Sequence, residues 1–294
     1  MLVALFLLLL PLAMASPAML FGRDGLGYAD PADNGGKLLT IAQNTWPEGL
    51  GEPLNAIIST NSDPRVLVDS ADNGGFLNYM LAQNLGEECF GQALGTPQEA
   101  NLGDGQGNKN EVQVLRWNYG DIYIGTCMET FKGGLHARYW YQNTTGAIFL
   151  AVSEEKGLDY NHDIIYNGYN LGRDWFVGNA TNQDSLIPTV LETVNGTWYS
   201  GVTNQTTYSG DKTFNNYTYH TDVQYVSGLL PNSSDGVNHA DKMSVPGMPA
   251  VDGLVAVLTV SITATPQDFA NAAVKLGMPA LGLLMTAVAI ILTL

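Results

Sequence analysis

The sequence predicts an α+β fold in a single domain, with a mainly antiparallel or mixed sheet and a few packed helices. Short segments rich in apolar residues follow one another between Gly and Asn turns, which is typical of antiparallel strands. Two other segments carry apolar residues at helical spacing. Without its terminal signals, described below, the chain keeps about 255 residues, which one domain with a sizeable core can accommodate.

The predicted elements follow in chain order. The predicted strands cover residues 54–60, 111–117, 121–131, 135–142, 147–155, 221–230 and 254–264. The predicted helices cover residues 74–86, which end at a glycine, and 170–180, which begin at an asparagine. The tetrapeptide "NTTG" at 143–146 predicts a hairpin between two of the strands.

The N-terminal residues have the pattern of a secretory leader. Residues 2–12, "LVALFLLLLPL", are apolar, and small residues follow at Ala13 and Ala15, so we predict a signal peptide over 1–15. A retained membrane anchor is the alternative, and the shortness of the apolar run argues against it. Residues 16–53 are rich in Gly, Pro and Asp and predict an irregular N-terminal arm before a domain at 54–265.

The C-terminal residues 266–294 read as a linker followed by an apolar anchor signal. Residues 276–294 carry no charge, and small residues, among them Asn271, lie upstream. This order is what glycosylphosphatidylinositol (GPI) attachment requires, with Asn271 as the candidate attachment residue. A retained tail anchor is the alternative, and both predict a chain tethered to a membrane by its C-terminus.

Six Asn-X-Ser/Thr sequons predict N-glycosylation and therefore surface positions. They lie at Asn143, Asn179, Asn195, Asn204, Asn216 and Asn232. Four of them fall within 195–234, which we interpret as a glycan-rich segment.

The two cysteines, Cys89 and Cys127, predict one disulfide, because an oxidising secretory route favours pairing. Their spacing, without a neighbouring CxxC or paired histidines, is not that of a zinc site. The polar loop 101–111 lacks the glycine and the glutamate that a calcium loop needs, and it favours a hairpin. We therefore predict no metal, and no sequence motif indicates another cofactor.

The charge of the chain argues against nucleic acid as a partner. The formal net charge is −16, with 12 Lys and Arg residues distributed along the whole chain, whereas phosphate binding needs a basic patch. The motifs GxSxG, GxxxxGK, HExxH and GxGxxG do not occur in a usable context. The predicted partners are the membrane, through the anchor, and a cell-wall or anionic ligand.

One cluster of polar residues is the candidate functional site. It comprises His136, Arg138, His162, Arg173 and Asp174. Period-two alternation in the strand 135–142 places His136, Arg138 and Trp140 on one face. Paired guanidinium groups with an imidazole and a helix N-terminus suit a phosphate or a carboxylate. Alternatively, Arg138 or Arg173 forms a partly buried ion pair with Asp163 or Asp174. The hydroxyl of Ser153 and the carboxylates of Glu154 and Glu155 lie at the end of the neighbouring predicted strand. Their spacing to His162 matches no hydrolase motif.

Several segments resemble a family of uncharacterised fungal secreted glycoproteins that carry a signal peptide and often an apolar tail. The segments include "YGDIYIGTCMETFKGGLHARYWYQN" and "NHDIIYNGYNLGRDWFVGNA", and the likeness covers most of residues 54–180. The order "HxRxW", a strand, a histidine and "GRD" is also similar to the LssY-type C-terminal domain of bacterial membrane-associated proteins. That similarity implies that the five candidate residues are recurrent polar positions, although Asp163 stands where a second histidine is usual.

These observations predict a secreted N-glycoprotein of the cell surface, membrane-anchored at its C-terminus and without a recognisable catalytic motif. An extracellular hydrolase or anion-binding protein that uses the His/Arg pocket is the alternative. Both functions place the protein in the secretory pathway and at the cell surface or outside the cell.

Overall fold

The protein is described here by a computed structural model, which covers residues 25–91, 97–188, 201–243 and 247–275. The predicted signal peptide over 1–15, the sequon at Asn195 and the apolar tail 276–294 lie outside these residues. Within the described ranges, no helix has both the length and the apolar character needed to cross a membrane.

The described residues form an α+β domain, as predicted. The strands are β1 Ala56–Ile58, β2 Leu85–Glu87, β3 Glu99–Asn101, β4 Asn108–Asn110, β5 Gln113–Trp117, β6 Gly133–Tyr141, β7 Ile148–Lys156, β8 Thr207–Phe214, β9 Tyr217–Ser227 and β10 Leu254–Ala264. The α-helices are α1 Phe76–Ala82, α2 Gly125–Lys132, α3 Gly168–Thr181, α4 Ala240–Met243 and α5 Pro266–Lys275.

Eight of these strands form one mixed sheet in the order β2-β5-β6-β7-β1-β10-β9-β8. Its neighbouring strands are antiparallel, except that β1 pairs with β10 in parallel. The prediction of a mainly antiparallel sheet is therefore confirmed. Strands β3 and β4 form a separate antiparallel pair, so the loop 101–111 belongs to a hairpin, as predicted.

The segment 121–131 corrects the sequence analysis, because it forms helix α2 and its approach rather than a strand. The carboxylate of Asp121 accepts hydrogen bonds from the backbone N–H groups of Tyr123 and Ile124, and its carbonyl accepts one from Gly125. These bonds start a turn that continues into α2. The consecutive side chains of Ile122, Tyr123 and Ile124 are 46%, 82% and 53% exposed, so they do not form a buried strand face.

Helix α3 is buried along its whole length, and its N-terminal part packs beside the section of β7 that β1 leaves unpaired. Strand β1 is so short that it pairs with β7 only opposite residues 148–150, and the next part of the β7 edge is free for other contacts. There the side chain of Asn55 hydrogen-bonds to the backbone N–H and C=O of Val152 and to the carbonyl of Tyr169, at 2.9–3.0 Å. Gly172 lies against the backbone of Ser153, where a Cβ atom would be 2.4 Å from a carbonyl carbon. The approach therefore requires glycine.

The core lies on both faces of the sheet. On one face, α1 and the aromatic residues of α3 pack against apolar residues of β6, β7 and β10. On the other face, Trp140 and Phe149 pack against residues of the N-terminal segment such as Leu38. Residues 25–53 are irregular apart from a short 3-10 turn, and they form part of this second core. Helix α5 carries Asn271, the candidate GPI attachment residue, with an exposed side chain.

The sequons differ in their exposure. Asn143, Asn204, Asn216 and Asn232 are exposed. Asn179, however, lies in α3 with 3% exposure, and its Nδ2 atom donates to the carbonyl of Gln83 at 3.1 Å. A glycan attached to this buried side chain would have no path to solvent. The prediction of a surface glycan at Asn179 is therefore wrong.

Candidate functional site

The strand register brings polar side chains together on one face of the sheet. Arg116 of β5 lies opposite His136 of β6, which lies opposite Ser153 of β7. Side chains alternate along a strand, so Arg138 and Glu155 share this face with them. Period-two alternation predicted a common face for His136, Arg138 and Trp140, and the register confirms it.

Arg116 is surrounded by three carboxylates. Its Nε atom lies 3.0 Å from Glu88 Oε1, and its Nη1 atom lies 2.9 Å from Glu129 Oε2 and 3.3 Å from Glu155 Oε2. Glu88 follows β2, Glu129 lies in α2 and Glu155 lies in β7. Since all four side chains are at most 10% exposed, this is a buried network that joins three separate parts of the chain.

Arg138, like Arg116, is surrounded by carboxylates. Its Nη1 atom donates to both carboxylate oxygens of Glu111, at 2.8 and 2.7 Å. Its Nε atom lies 3.6 Å from Glu52 Oε2 and has no hydrogen-bond partner among the described residues. Glu52 in turn accepts a hydrogen bond of 2.6 Å from the side chain of Gln98, which accepts one from Thr40.

His136 lies at the centre of this cluster and is completely buried. Its Nδ1 atom is 3.4 Å from Glu155 Oε1, and within the described part of the chain neither ring nitrogen has a hydrogen-bond partner. Burial, together with the positive charges of Arg116 and Arg138, holds the pKa of His136 well below its usual value. The ring is therefore neutral at physiological pH.

The carboxyl groups exceed the guanidinium groups in this cluster, and burial favours their protonated forms. Burial raises the pKa of Glu155 to about 8, assisted by the charges of Glu129 and Glu52 and opposed by that of Arg116. Burial also raises the pKa values of Glu129 and Glu111, against the effect of their arginine partners. Glu155 thus carries a proton at neutral pH and can donate a hydrogen bond.

A cleft of about 390 Å³ opens beside the cluster, and we refer to it as the polar cleft. Its lining comprises Ala42, Gln43, Glu52, Gln98, Arg116, Thr130, Arg138, Glu155, Asn161, His162, Asn238 and His239. His162 is half-buried, its Nδ1 atom has no hydrogen-bond partner among the described residues, and burial with the charge of Arg116 lowers its pKa. His239 lies 2.8 Å from Asp163, through its Nδ1 atom.

Arg173 and Asp174 lie elsewhere, in the buried interior around α3. The Nη1 and Nη2 atoms of Arg173 donate to the two carboxylate oxygens of Asp252, at 2.7 and 2.9 Å, and its Nε atom donates to Asp174 at 2.8 Å. The ring of Tyr225 lies 5.0 Å from the guanidinium carbon, and its hydroxyl donates to Asp174. Arg173 is completely buried, so for this residue the geometry agrees with the structural ion pair.

The five candidate residues therefore separate into two groups. His136, Arg138 and His162 belong to the cluster at the polar cleft, whereas Arg173 and Asp174 belong to the interior pair with Asp252. Asp163, proposed as an arginine partner, contacts His239 instead. Glu155 was noted as a neighbouring carboxylate, and the sequence analysis missed Arg116, Glu52, Glu88, Glu111 and Glu129. Alternation in β5 was a signal for Arg116, but Glu52 and Glu88 come from irregular segments with no such signal.

Among the described residues, no group of three or more His, Cys, Asp or Glu side chains is arranged to hold a metal ion. Comparisons with protein-family models, with curated proteins and with solved structures found no match to the chain. The site is therefore interpreted from its own geometry.

Raising the pH from 6.5 to 8 should destabilise the protein. Glu155 keeps its proton in the fold up to about pH 8, whereas an unfolded glutamate loses its proton near pH 4.3. The native state thus binds more protons in this window, and its free energy of unfolding falls as pH rises. For Glu155 the loss is about 2 kcal/mol over this window, at about 1.4 kcal/mol per pH unit. Thermal or urea unfolding at a series of pH values measures it.

Two histidines of the cluster set the lower limit of this pH range at 6.5. The lowered pKa values of His136 and His162 give them the opposite effect, a stability contribution that is lost as pH falls below 6.5. The variant Glu155→Gln should flatten the slope above pH 6.5. The partly exposed His220, whose pKa is raised by its hydrogen bond to Asp211, also contributes stability that is lost as pH rises. Because water screens this pair, the contribution is small, so the control His220→Asn should change the slope far less than Glu155→Gln does. An unaltered slope in Glu155→Gln would contradict the assignment.

Proposed function

We propose that the protein is a secreted N-glycoprotein tethered to the cell surface by its C-terminus, through a GPI anchor. The observation that carries the proposal is the exposure of Asn143, Asn204, Asn216 and Asn232, at positions where a glycan meets solvent. The disulfide between Cys89 and Cys127 agrees with an oxidising compartment. The apolar segments 2–12 and 276–294 supply the leader and the anchor signal of this proposal.

The alternative of an anion-binding protein finds less support in the geometry. An anion needs a guanidinium that is not already neutralised. Arg116 contacts three glutamates, Arg138 contacts Glu111, and Arg173 contacts two aspartates. Because each arginine of the two groups already has a carboxylate partner, a phosphate or carboxylate ligand would have to displace one.

Treatment of intact cells with a phosphatidylinositol-specific lipase tests the tether. We expect the lipase to release the protein into the medium, because it cleaves the lipid from a GPI anchor and leaves a protein helix intact. Release by detergent alone would contradict the GPI anchor and indicate a retained apolar helix.

Glycan mapping on the released protein is the matched internal control. Enzymatic deglycosylation followed by mass spectrometry should show occupancy at the four exposed sequons and none at Asn179, which is buried and hydrogen-bonded. Unoccupied exposed sequons in protein taken from its native cell would contradict the secreted glycoprotein.

A further inference from the structure

The polar cleft contains buried groups whose hydrogen bonds are incomplete. Arg138 and Glu155 both line it and are each 9% exposed. The Nε atom of Arg138 and the Nδ1 atom of His162 have no hydrogen-bond partner among the described residues. A buried polar atom without a partner leaves its desolvation uncompensated. Arg138 and His162 both line the cleft, so its wall includes hydrogen-bonding side chains that the fold itself leaves incompletely paired.

The charge states of the residues that line the polar cleft indicate whether its ligand is anionic, cationic or neutral. Arg116 and Arg138 are neutralised by glutamates, so an anionic group finds no free cation. Burial keeps Glu155 protonated at neutral pH, which weakens the attraction for a cation. Apart from Ala42 and the carboxylate of Glu52, the remaining lining residues offer amide, hydroxyl and imidazole groups, which both donate and accept hydrogen bonds. This combination suits a neutral ligand that has many hydroxyl groups.

We propose that the polar cleft binds a short segment of a neutral glycan. Each sugar hydroxyl can donate to Glu52 and accept from the protonated carboxyl of Glu155, from an amide such as that of Gln43, or from His162. The volume of about 390 Å³ is within the range of small-molecule sites. The proposal goes beyond the surface tether and does not depend on it, because the cleft lies entirely within the described domain.

The test is calorimetric titration of the purified, disulfide-bonded chain with oligosaccharides. The probes are neutral hexose and N-acetylhexosamine oligomers, sulfated oligomers and cationic glucosamine oligomers. We expect at least one neutral oligomer to bind and raise Tm, while the two charged classes do not bind. Glu155→Gln and His162→Asn should each weaken that binding at least tenfold. Asparagine is chosen at position 162 because its backbone has a positive φ of 55°, which asparagine tolerates.

The control variant is His220→Asn, which makes the same side-chain change on β9 outside the lining of the cleft, and it should bind like the wild type. Failure of every neutral oligomer to bind the folded wild type would overturn the proposal. A preference for sulfated or cationic oligomers, or unchanged affinity in His162→Asn, would also overturn it. If Glu155→Gln does not fold, the milder His162→Asn decides alone. Failure here leaves the lipase result unaffected, so the two proposals can fail separately.

Discussion

Replacing Arg173 with glutamine should lower the free energy of unfolding by about 3–5 kcal/mol, with no ligand present. The guanidinium is completely buried and donates to Asp252, to Asp174 and to the carbonyl of Leu254. Glutamine is shorter and uncharged, so the variant leaves the buried carboxylate of Asp174 without the positive charge that offsets its desolvation. Urea unfolding of the wild type and of the variant measures the difference.

The matched control is Arg65→Gln. Arg65 also forms a two-pronged contact with an aspartate, Asp63, but its side chain is 43% exposed. An exposed ion pair is worth about 0–1 kcal/mol, because water screens it and solvates each charge after the other is removed. Similar losses in the two variants would contradict the structural role of Arg173. Full wild-type stability in Arg173→Gln would do so as well.

Arg173 also shows which kind of contact the sequence alone does not predict. The sequence places Arg173 and Asp174 at the start of a helix, near His162 in the chain, and this nearness suggested a common site. The deciding partner, Asp252, lies 79 positions further along the chain, and no local pattern connects the two. An ion pair over such a separation depends on the tertiary fold, here on the packing of α3 beside the residues at the start of β10.

The elements that the sequence predicted best are long strands that contribute to the buried core of the sheet. Strands β6, β7 and β10 are rich in apolar residues over nine to eleven positions, and the structure confirms them within a few residues of the predicted ends. Strand β8 was missed because it lies at the sheet edge and carries polar residues, with alternating half-buried and exposed side chains. Helix α2 was mistaken for a strand because three consecutive apolar residues precede it at 122–124, and these residues are in fact exposed.

The candidate site could be predicted in part for the same reason. Period two is a local rule, so it correctly placed His136 and Arg138 on one face, and it applies equally to Arg116. The carboxylates that complete the cluster come from different elements. Glu129 lies in the misassigned helix α2, and Glu52 and Glu88 lie in irregular segments. Their approach to the arginines is a property of the tertiary fold.

The second large effect is expected from the disulfide. The double variant Cys89→Ala/Cys127→Ala should lose about 3–4 kcal/mol of unfolding free energy, because a covalent loop restricts the unfolded chain. The bridge spans 38 positions of sequence, and the double change leaves no free thiol. Equilibrium unfolding of the purified double variant, compared with the wild type under non-reducing conditions, measures the loss.

The position of the disulfide predicts an additional effect on the arginine network. Cys89 follows Glu88 directly, and Cys127 precedes Glu129 by two residues, so the bridge holds together the two segments whose carboxylates contact Arg116. Removing the bridge should therefore weaken the contacts of Arg116 and make it less important for stability. In a double-mutant cycle with Arg116→Gln, the combined loss should be smaller than the sum of the separate losses by at least 0.5 kcal/mol. Strictly additive losses would show that the disulfide acts on the unfolded chain alone and does not position the two glutamates.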